Sequence, residues 1–464
     1  MGLTTPARRR RWREFCLCGQ GKTNQSEERE CVNNGWDKNG KGLGMAQIAR
    51  FGVKWLLLAA AAGVLAGTAS ALFLALLEWA TATREGAPWL LWLLPAAGAL
   101  ISYMYATVGG EAGKGNNLLI ERIHEGRGTV PLRMAPLVLI GTVATHLFGG
   151  SAGREGTAVQ MGGSLAAYAA GLLRIRPEDR PLLLMCGVAA GFGSVFGTPL
   201  AGAVFAAEML TVGTIRYRAL FPCFAAALIG DAVTTAWGID HPHYDMGGMP
   251  EFSILLLLRV ALAAALFGLV SAFFSELVRT SKIVFARLAS NPAVRSAAGG
   301  ALVIALVYIA GTRDYLGLSL PLLSDAFAGE GDPFAFLWKT VFTAVTLGSG
   351  FQGGEVTPLF VIGATFGEML SGPLSLSASF LAGLGLVGVF CGATNTPVAC
   401  VLLGIELFGF DNVGYIAVVC VISYLASGHT GIYSSQRIAA SKLGRRRLPE
   451  GTTIGTARRR KQRS

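Results

Sequence analysis

Long apolar runs, broken at short intervals by Gly, Pro and single ionisable residues, dominate the chain from Trp55 to Ala426. A membrane-crossing helix needs about 20 apolar residues. In the first half, runs that predict helices cover about 55–80, 88–108, 131–148, 182–193, 199–210 and 220–237. In the second they cover about 254–274, 297–311, 333–347, 358–370, 380–390, 397–408 and 413–426. Several are too short to cross. Interrupted helices are tolerated in lipid only where protein or a water-filled path satisfies the freed backbone groups, as in transporter cores.

Composition sharpens this picture. Only 14% of the 464 residues are charged and the mean hydropathy is +0.51, against about 25% charged residues in a soluble domain. A soluble fold, whole-chain disorder and nucleic-acid binding are excluded, and 8 Cys are too sparse for a disulfide scaffold. The class is an all-α polytopic membrane protein. Its net charge of +11 is concentrated at the ends. Residues 1–50 carry ten Lys/Arg against five Asp/Glu, and residues 437–464 carry ten against one. The stretch between carries 19 against 22. Basic flanks place both termini in the cytoplasm, where they would meet lipid headgroups. The chain up to Lys41 reads as disordered, with no cleavable signal, and translation starting near Met45 is an expectation that intact mass would test. Cys16, Cys18 and Cys31 lack a fourth ligand for zinc, while Cys186, Cys223, Cys391, Cys400 and Cys420 read as packed thiols.

The sequence also repeats. Gly153-Arg154-Glu155-Gly156-Thr157 recurs as Gly353-Gly354-Glu355-Val356-Thr357, 200 residues on. Thr198-Pro199-Leu200-Ala201 follows Glu155 by 43 residues, Thr396-Pro397-Val398-Ala399 follows Glu355 by 41, and a Glu stands nine beyond each Pro (Glu208 and Glu406). This predicts basic tails at 1–50 and 441–464 around two homologous transmembrane halves, 51–240 and 241–440.

Each repeat sets a Gly-rich break and a Glu before an apolar helix. The first N–H groups of a helix are unpaired and lie at the positive end of its dipole, so such a start binds anions without a full positive charge. Further breaks lie at Gly113-Lys114-Gly115-Asn116-Asn117 and at Ser427-Gly428-His429-Thr430-Gly431-Ile432-Tyr433. The inferred substrate is a small anion. Deprotonated, Glu155 can fill that site and exclude the anion; protonated, it leaves, which couples protons to anions. The bland reading pairs Glu155 with Arg154, but an intramembrane carboxylate is functional by default. Glu355 is read as functional, with a helix-start cap as its alternative, and Glu208 and Glu406 as structural. Gly21-Lys22-Thr23 and Gly113-Lys114 fail as phosphate loops, and the His residues lack metalloprotease spacing. No metal or cofactor is expected.

Together these breaks resemble the CLC family of chloride channels and anion/proton antiporters, over roughly 51–440. Gly153-Arg154-Glu155-Gly156 looks like its gating-glutamate motif, and Gly191-Phe192-Gly193 to Pro199-Leu200-Ala201-Gly202 like its following helix start. The resemblance implies two inverted repeats of tilted, partly spanning helices, and a homodimer with one anion pathway per subunit. The chloride-type pattern is not followed throughout. Gly115-Asn116-Asn117-Leu118-Leu119 replaces Gly-Ser-Gly-Ile-Pro, Thr157 replaces a Pro, Glu355 stands where an acid is usually missing, and Met209 stands where many antiporters have an inner Glu. This combination is similar to the bacterial fluoride/proton antiporter branch. By that resemblance Glu155 gates, and Asn116, Gly156, Val356, Thr357 and Tyr433 contact the anion. Glu355 then belongs to the fluoride and proton pathway of the second half.

Fluoride is small, strongly hydrated and a strong acceptor, and an Asn amide offers two N–H donors where Ser offers one O–H; a helix cap is the alternative for Asn116 and Asn117. The 31 residues after Tyr433 leave no room for the paired regulatory domains of many members. The expected protein is a fluoride exporter of the bacterial inner membrane with fluoride, protons and lipid as partners. A chloride or nitrate antiporter or a passive channel of the same fold is the second reading. A membrane enzyme is disfavoured because no nucleophile–base pair appears.

Overall fold

The structure, a computed structural model, describes residues 45–126, 128–241, 244–248, 250–444, 449 and 451–463. The expectations for the N-terminal tail, its three Cys and its Arg cluster lie outside the described residues, as do Pro242 and His243 of the His241-Pro242-His243 loop. The chain divides at Leu57 into two units. What is described of the first is the opening of helix α1 (Met45–Gly86), where the rings of Phe51 and Trp55 stand 6.2 Å apart. Everything below concerns Leu58 onward.

After α1 come a 3-10 turn (Pro88–Leu93), α2 (Leu94–Met104), α3 (Asn116–Glu125), α4 (Met134–Leu147), α5 (Glu155–Leu172), α6 (Arg180–Phe196), α7 (Pro199–Glu208) and α8 (Leu220–Ala236). The second half supplies α9 (Ile254–Leu288), α10 (Pro292–Ala310), α11 (Leu320–Ala328), α12 (Ala335–Ser349), α13 (Val356–Met369), α14 (Ala378–Thr394), α15 (Pro397–Phe408) and α16 (Val413–Ala426). Strands β1 (Thr211–Val212) and β2 (Arg437–Ile438) pair in parallel, and α17 (Ile454–Arg463) closes the described chain. That small sheet is the one departure from the all-α expectation.

Among the described residues, five helical segments are long and apolar enough to cross a membrane: Met45–Gly86, Pro88–Lys114, Tyr217–Ala236, Ile254–Leu288 and Pro292–Ala310. The central helices are shorter and buried on nearly every face, which makes them core rather than lipid-facing. Every residue of α14 from Phe380 to Thr394 is buried. α5 packs on α6 and α13 on α14, each pair with glycines at its crossing. A Cβ on Gly162 would meet the Gly187 carbonyl at 2.2 Å, and one on Gly363 would meet the Gly385 carbonyl at 2.2 Å. Only Gly allows backbones that close.

The repeat is visible in how the halves hold one another. Glu208, at the end of α7, accepts the Val398 and Ala399 N–H groups at 3.2 and 2.9 Å at the start of α15. Glu406, near the end of α15, accepts the Leu200 and Ala201 N–H groups, both at 2.8 Å, at the start of α7. Each carboxylate satisfies orphan donors of the other half's helix, the structural role expected of both. Cys186, Cys223, Cys391, Cys400 and Cys420 are buried free thiols.

Two features go beyond the predicted runs. α5 was not among the predicted runs: its Gly, Ala, Ser and Thr content lowers its apolarity, and tight packing holds it instead. The basic C-terminal segment also folds back over the protein. Ile454 N–H donates to the Gln436 carbonyl at 2.9 Å and Gly455 N–H to that of Ser434 at 3.0 Å.

Candidate anion site

The two Gly-rich breaks meet. Gly153 N–H donates to the Gly354 carbonyl at 2.7 Å, and Gly354 N–H returns the bond to Gly153 at 2.7 Å. A Cβ on Gly153 would meet Pro358 Cδ at 2.8 Å and Thr357 Oγ1 at 2.9 Å, so this reciprocal pair excludes side chains. It sets the start of α5 beside the start of α13.

Glu155 therefore reaches across the repeat. Its side chain is wholly buried. One carboxylate oxygen accepts the Thr357 N–H at 2.9 Å, and the Thr357 hydroxyl stands 2.7 Å from both oxygens. Arg154 contributes its N–H at 3.3 Å and its Nε at 3.5 Å, so the bland pairing with Arg154 is present beside the stronger contacts. The carboxylate occupies the unpaired N-terminus of α13, a site fit for any small anion.

Asn116 approaches from α3. A Cβ on Gly156 would lie 3.2 Å from its Nδ2 and 3.0 Å from Gly354 Cα. Asn116 Oδ1 is buried with no hydrogen-bond partner among the described residues, and its side chain does not cap α3. The neighbouring Asn117 is spent otherwise: its Oδ1 accepts the Ser435 N–H at 2.9 Å and the Ser434 hydroxyl at 3.2 Å. Tyr433, 3% exposed, packs edge-on against Phe205 with centroids 6.4 Å apart, within electrostatic range of both Glu155 and Glu355. A small cavity lined by Arg154, Thr357, Tyr244, Phe196 and Phe360 opens beside the carboxylate.

Glu155, Gly156, Asn116, Val356 and Thr357 thus converge. Glu355 does not join the hydrogen bonds of Glu155. It stands at the first position before α13, makes no cap bond, and its carboxylate lies 3.7 Å from Lys282 Nζ on α9. The alternative reading of Glu355 as a helix cap fails.

Sequence reasoning gave no site role to four further buried polar residues. Thr157 shares a 2.7 Å bond with Thr142 of α4. The His146 ring nitrogens lie 2.8 Å from the Thr142 carbonyl and 3.0 Å from that of Ala152. Gln436 donates to the Met209 and Thr394 carbonyls, both at 3.0 Å, and accepts from Asn395 Nδ2 at 3.0 Å, which fixes the segment that carries Tyr433. Lys339 is wholly buried in α12. Its signal was in plain view, since an ionisable residue inside an apolar run is what flags an intramembrane site.

The chain resembles known proteins over most of its length. The family model described as voltage gated chloride channel matches residues 97–428. A "Chloride/fluoride channel protein" of Pseudomonas syringae pv. tomato is 48% identical over 403 residues, covering 86% of this chain and 89% of the relative. An H(+)/Cl(-) exchange transporter ClcA of Cronobacter sakazakii is 29% identical over 384 residues, covering 76% of this chain and 81% of the relative. Among solved structures, a CLC-type fluoride/proton antiporter is 34% identical with a TM-score of 0.81, over 86% of this chain and all of that one (100%). A slow cyanobacterial Cl-/H+ antiporter, 19% identical with a TM-score of 0.69 over 80% of this chain and 94% of that one, shares the fold. With the larger part of its length matched, this polytopic helical membrane protein belongs to the voltage gated chloride channel family, the CLC family of anion channels and anion/proton antiporters.

Proposed function

We propose that this protein is a fluoride/proton antiporter that exports fluoride as protons enter. The observation that carries the reading is the Glu155 carboxylate seated on the Thr357 N–H and hydroxyl. Two charge-assisted donors at a helix N-terminus hold either that carboxylate or a free anion, and the two exclude each other. Protonation removes the carboxylate's charge and frees the place; fluoride then takes the Thr357 donors, with the Asn116 amide supplying N–H groups from the opposite side. Gly156 and Val356 line the site, and Tyr433 faces it from the segment between α16 and β2. Glu355, held outside the Glu155 bonds by Lys282, serves the fluoride and proton route of the second half.

Fluoride is favoured over chloride by the donor count at Asn116 and by two similar proteins whose names include fluoride. The chloride/proton exchanger and the passive channel are the competing readings, since one of those names also includes chloride and channel. In this reading the halves 51–240 and 241–440 are inverted repeats, two subunits assemble with one pathway each, and both basic tails face the cytoplasm of a bacterial inner membrane. The test is efflux from liposomes containing purified protein, followed with fluoride and chloride electrodes and a pH probe. Fluoride efflux with opposing proton movement is expected. Chloride passing equally well, or fluoride leaving without protons, overturns the assignment.

A further inference from the structure

The segment that joins the two halves is pinned to both. On the first half His241 packs on Gly197 at the end of α6, where a Cβ would meet its ring at 2.6 Å. On the second, Met246 is 1% exposed and packs on Gly383 of α14, and its carbonyl accepts the Ser379 hydroxyl at 3.2 Å. The next carbonyl, that of Gly247, accepts from Asn412 Nδ2 at 3.5 Å. Between these anchors Tyr244 stacks on Phe327 of α11, with ring centroids 5.1 Å apart. It lines the cavity that Arg154 and Thr357 also line, and its phenol lies within electrostatic range of Arg154. Among the described residues the Tyr244 hydroxyl has no hydrogen-bond partner.

This cavity touches the exchange site directly, since Thr357 and Arg154 both hold the Glu155 carboxylate. Its volume is about 30 Å³. A water takes about 10–15 Å³ of such space, so the cavity holds two oxygen-sized groups, the head of one carboxyl. Six of its nine lining residues are Phe or Leu. Such walls penalise a charged group far more than a neutral one that finds a hydrogen-bond partner, and a phenol both donates and accepts. Asn412 precedes α16 and Tyr433 follows it. That helix of 14 residues is about 21 Å long, so the linker and Tyr433 approach the site from opposite ends. With the basic tail in the cytoplasm, Tyr244 stands on the outer side.

We infer that Tyr244 is a positioning residue of the exchange, whose hydroxyl holds the protonated Glu155 carboxyl in this cavity while the anion occupies the Thr357 donors. The inference rests on the fluoride/proton reading and deepens it. Glu155 gains its proton, loses its charge and turns from Thr357 into the cavity; the carboxyl and the phenol exchange a hydrogen bond, and no proton passes to Tyr244. Deprotonated, the carboxylate is unwelcome among the Phe and Leu side chains and returns to Thr357, which expels the anion. Tyr244 thereby stabilises the state in which proton and anion are bound together.

The experiment compares the full-length chain, Tyr244→Phe, Glu155→Ala and the double variant in liposomes, with initial fluoride flux measured against fluoride concentration and proton flux alongside. Tyr244→Phe keeps the ring and its stack on Phe327 and removes only the hydroxyl. It is expected to raise the apparent KM for fluoride about fivefold, the worth of one neutral hydrogen bond. In the Glu155→Ala background no carboxyl is left to hold, so the same substitution is expected to leave KM unchanged. An equal rise in both backgrounds would mean that the hydroxyl serves the anion or the packing, and would overturn the inference. Should Glu155→Ala not fold, Glu155→Ser takes its place with the same expectation. A wild-type protein that moves no fluoride, or no protons, refutes the transport reading itself. Wild-type exchange with an unaltered KM in Tyr244→Phe refutes only the role of Tyr244.

Discussion

Glu155→Gln separates two properties of the carboxylate in the proposed exchange, its charge and its place. The carboxylate is held by the Thr357 N–H at 2.9 Å and the Thr357 hydroxyl at 2.7 Å, each a hydrogen bond to a charged group worth about 1.5–3 kcal/mol. The helix N-terminus adds about 0.5 kcal/mol for a negative charge. A glutamine oxygen keeps one neutral bond worth about 1 kcal/mol. The amide therefore holds the site about 3 kcal/mol less tightly, a factor of roughly one hundred in its competition with a free anion.

Two results are expected together. Fluoride binding to purified Glu155→Gln, measured by titration calorimetry, tightens by about two orders of magnitude. Fluoride efflux from liposomes continues without proton uptake, because the amide carries no proton. Coupled proton movement in the variant would refute Glu155 as the proton carrier. Unchanged fluoride affinity would refute the competition between carboxylate and anion, and with it the view that the α13 start is the anion site.

Asn116→Ser removes one of two N–H donors and is expected to cut fluoride-over-chloride discrimination about tenfold, the worth of one bond to an anion, read from paired electrode fluxes. Gly156→Ala puts a methyl 3.2 Å from Asn116 Nδ2 and 3.0 Å from Gly354 Cα; overpacking of about 1–3 kcal/mol should slow fluoride flux about tenfold or more with the fold retained by circular dichroism. Outside the spanning helices, burial pushes the Lys442 ammonium down to about 7, where it donates to the Tyr424 carbonyl and, at 2.9 Å, to the Ser427 hydroxyl. The unfolded segment then binds a proton that the folded one lacks between about pH 7 and 10.5, so docking strengthens as pH rises through that window. Limited proteolysis of the region after Tyr433 should be slower at pH 9 than at pH 7, and faster cleavage would contradict it.

What the sequence made legible depended on where the physics is local. α15 and α16 begin and end where the apolar runs do, because Pro397 sets a helix start and the polar turn after Gly409 ends one helix before the next. α9 runs on to Leu288, beyond the apolar run, and an ion pair between Glu276 and Arg279 supports the extension. The run at 88–108 splits into a 3-10 turn, a helix and a wider turn at Tyr105–Gly109. The repeat named Glu155 and Thr357 as members of opposite halves. It could not show that they touch, since their contact depends on the Gly153–Gly354 pair. Lys339 was legible as an ionisable residue inside an apolar run, but its contact with Ser151, like that of Gln436 with Met209, joins residues far apart in the chain.

The two caps and the Glu155–Thr357 contact share one construction. Glu208 serves the start of α15 and Glu406 the start of α7, while Glu155 serves the start of α13. In each case the donors of one half are satisfied by a carboxylate of the other. Buried helix starts left without partners are costly, so at these three starts each half depends on a carboxylate of the other. Glu208 and Glu406 each bind two backbone N–H groups beside a Pro-led helix start. Glu155 instead binds the Thr357 hydroxyl beside the Thr357 and Arg154 N–H groups, at a site next to a cavity and an unspent Asn116 oxygen. Thr357 thus distinguishes the carboxylate proposed to move from the two that cap helices. Thr357→Val would leave Glu155 with the weaker share of its bonds, about 1.5–3 kcal/mol fewer, and is expected to loosen proton coupling while the caps at α7 and α15 keep the fold. Coupling that stays intact in Thr357→Val, measured by the same paired fluxes, would show that the hydroxyl is not what holds the gate.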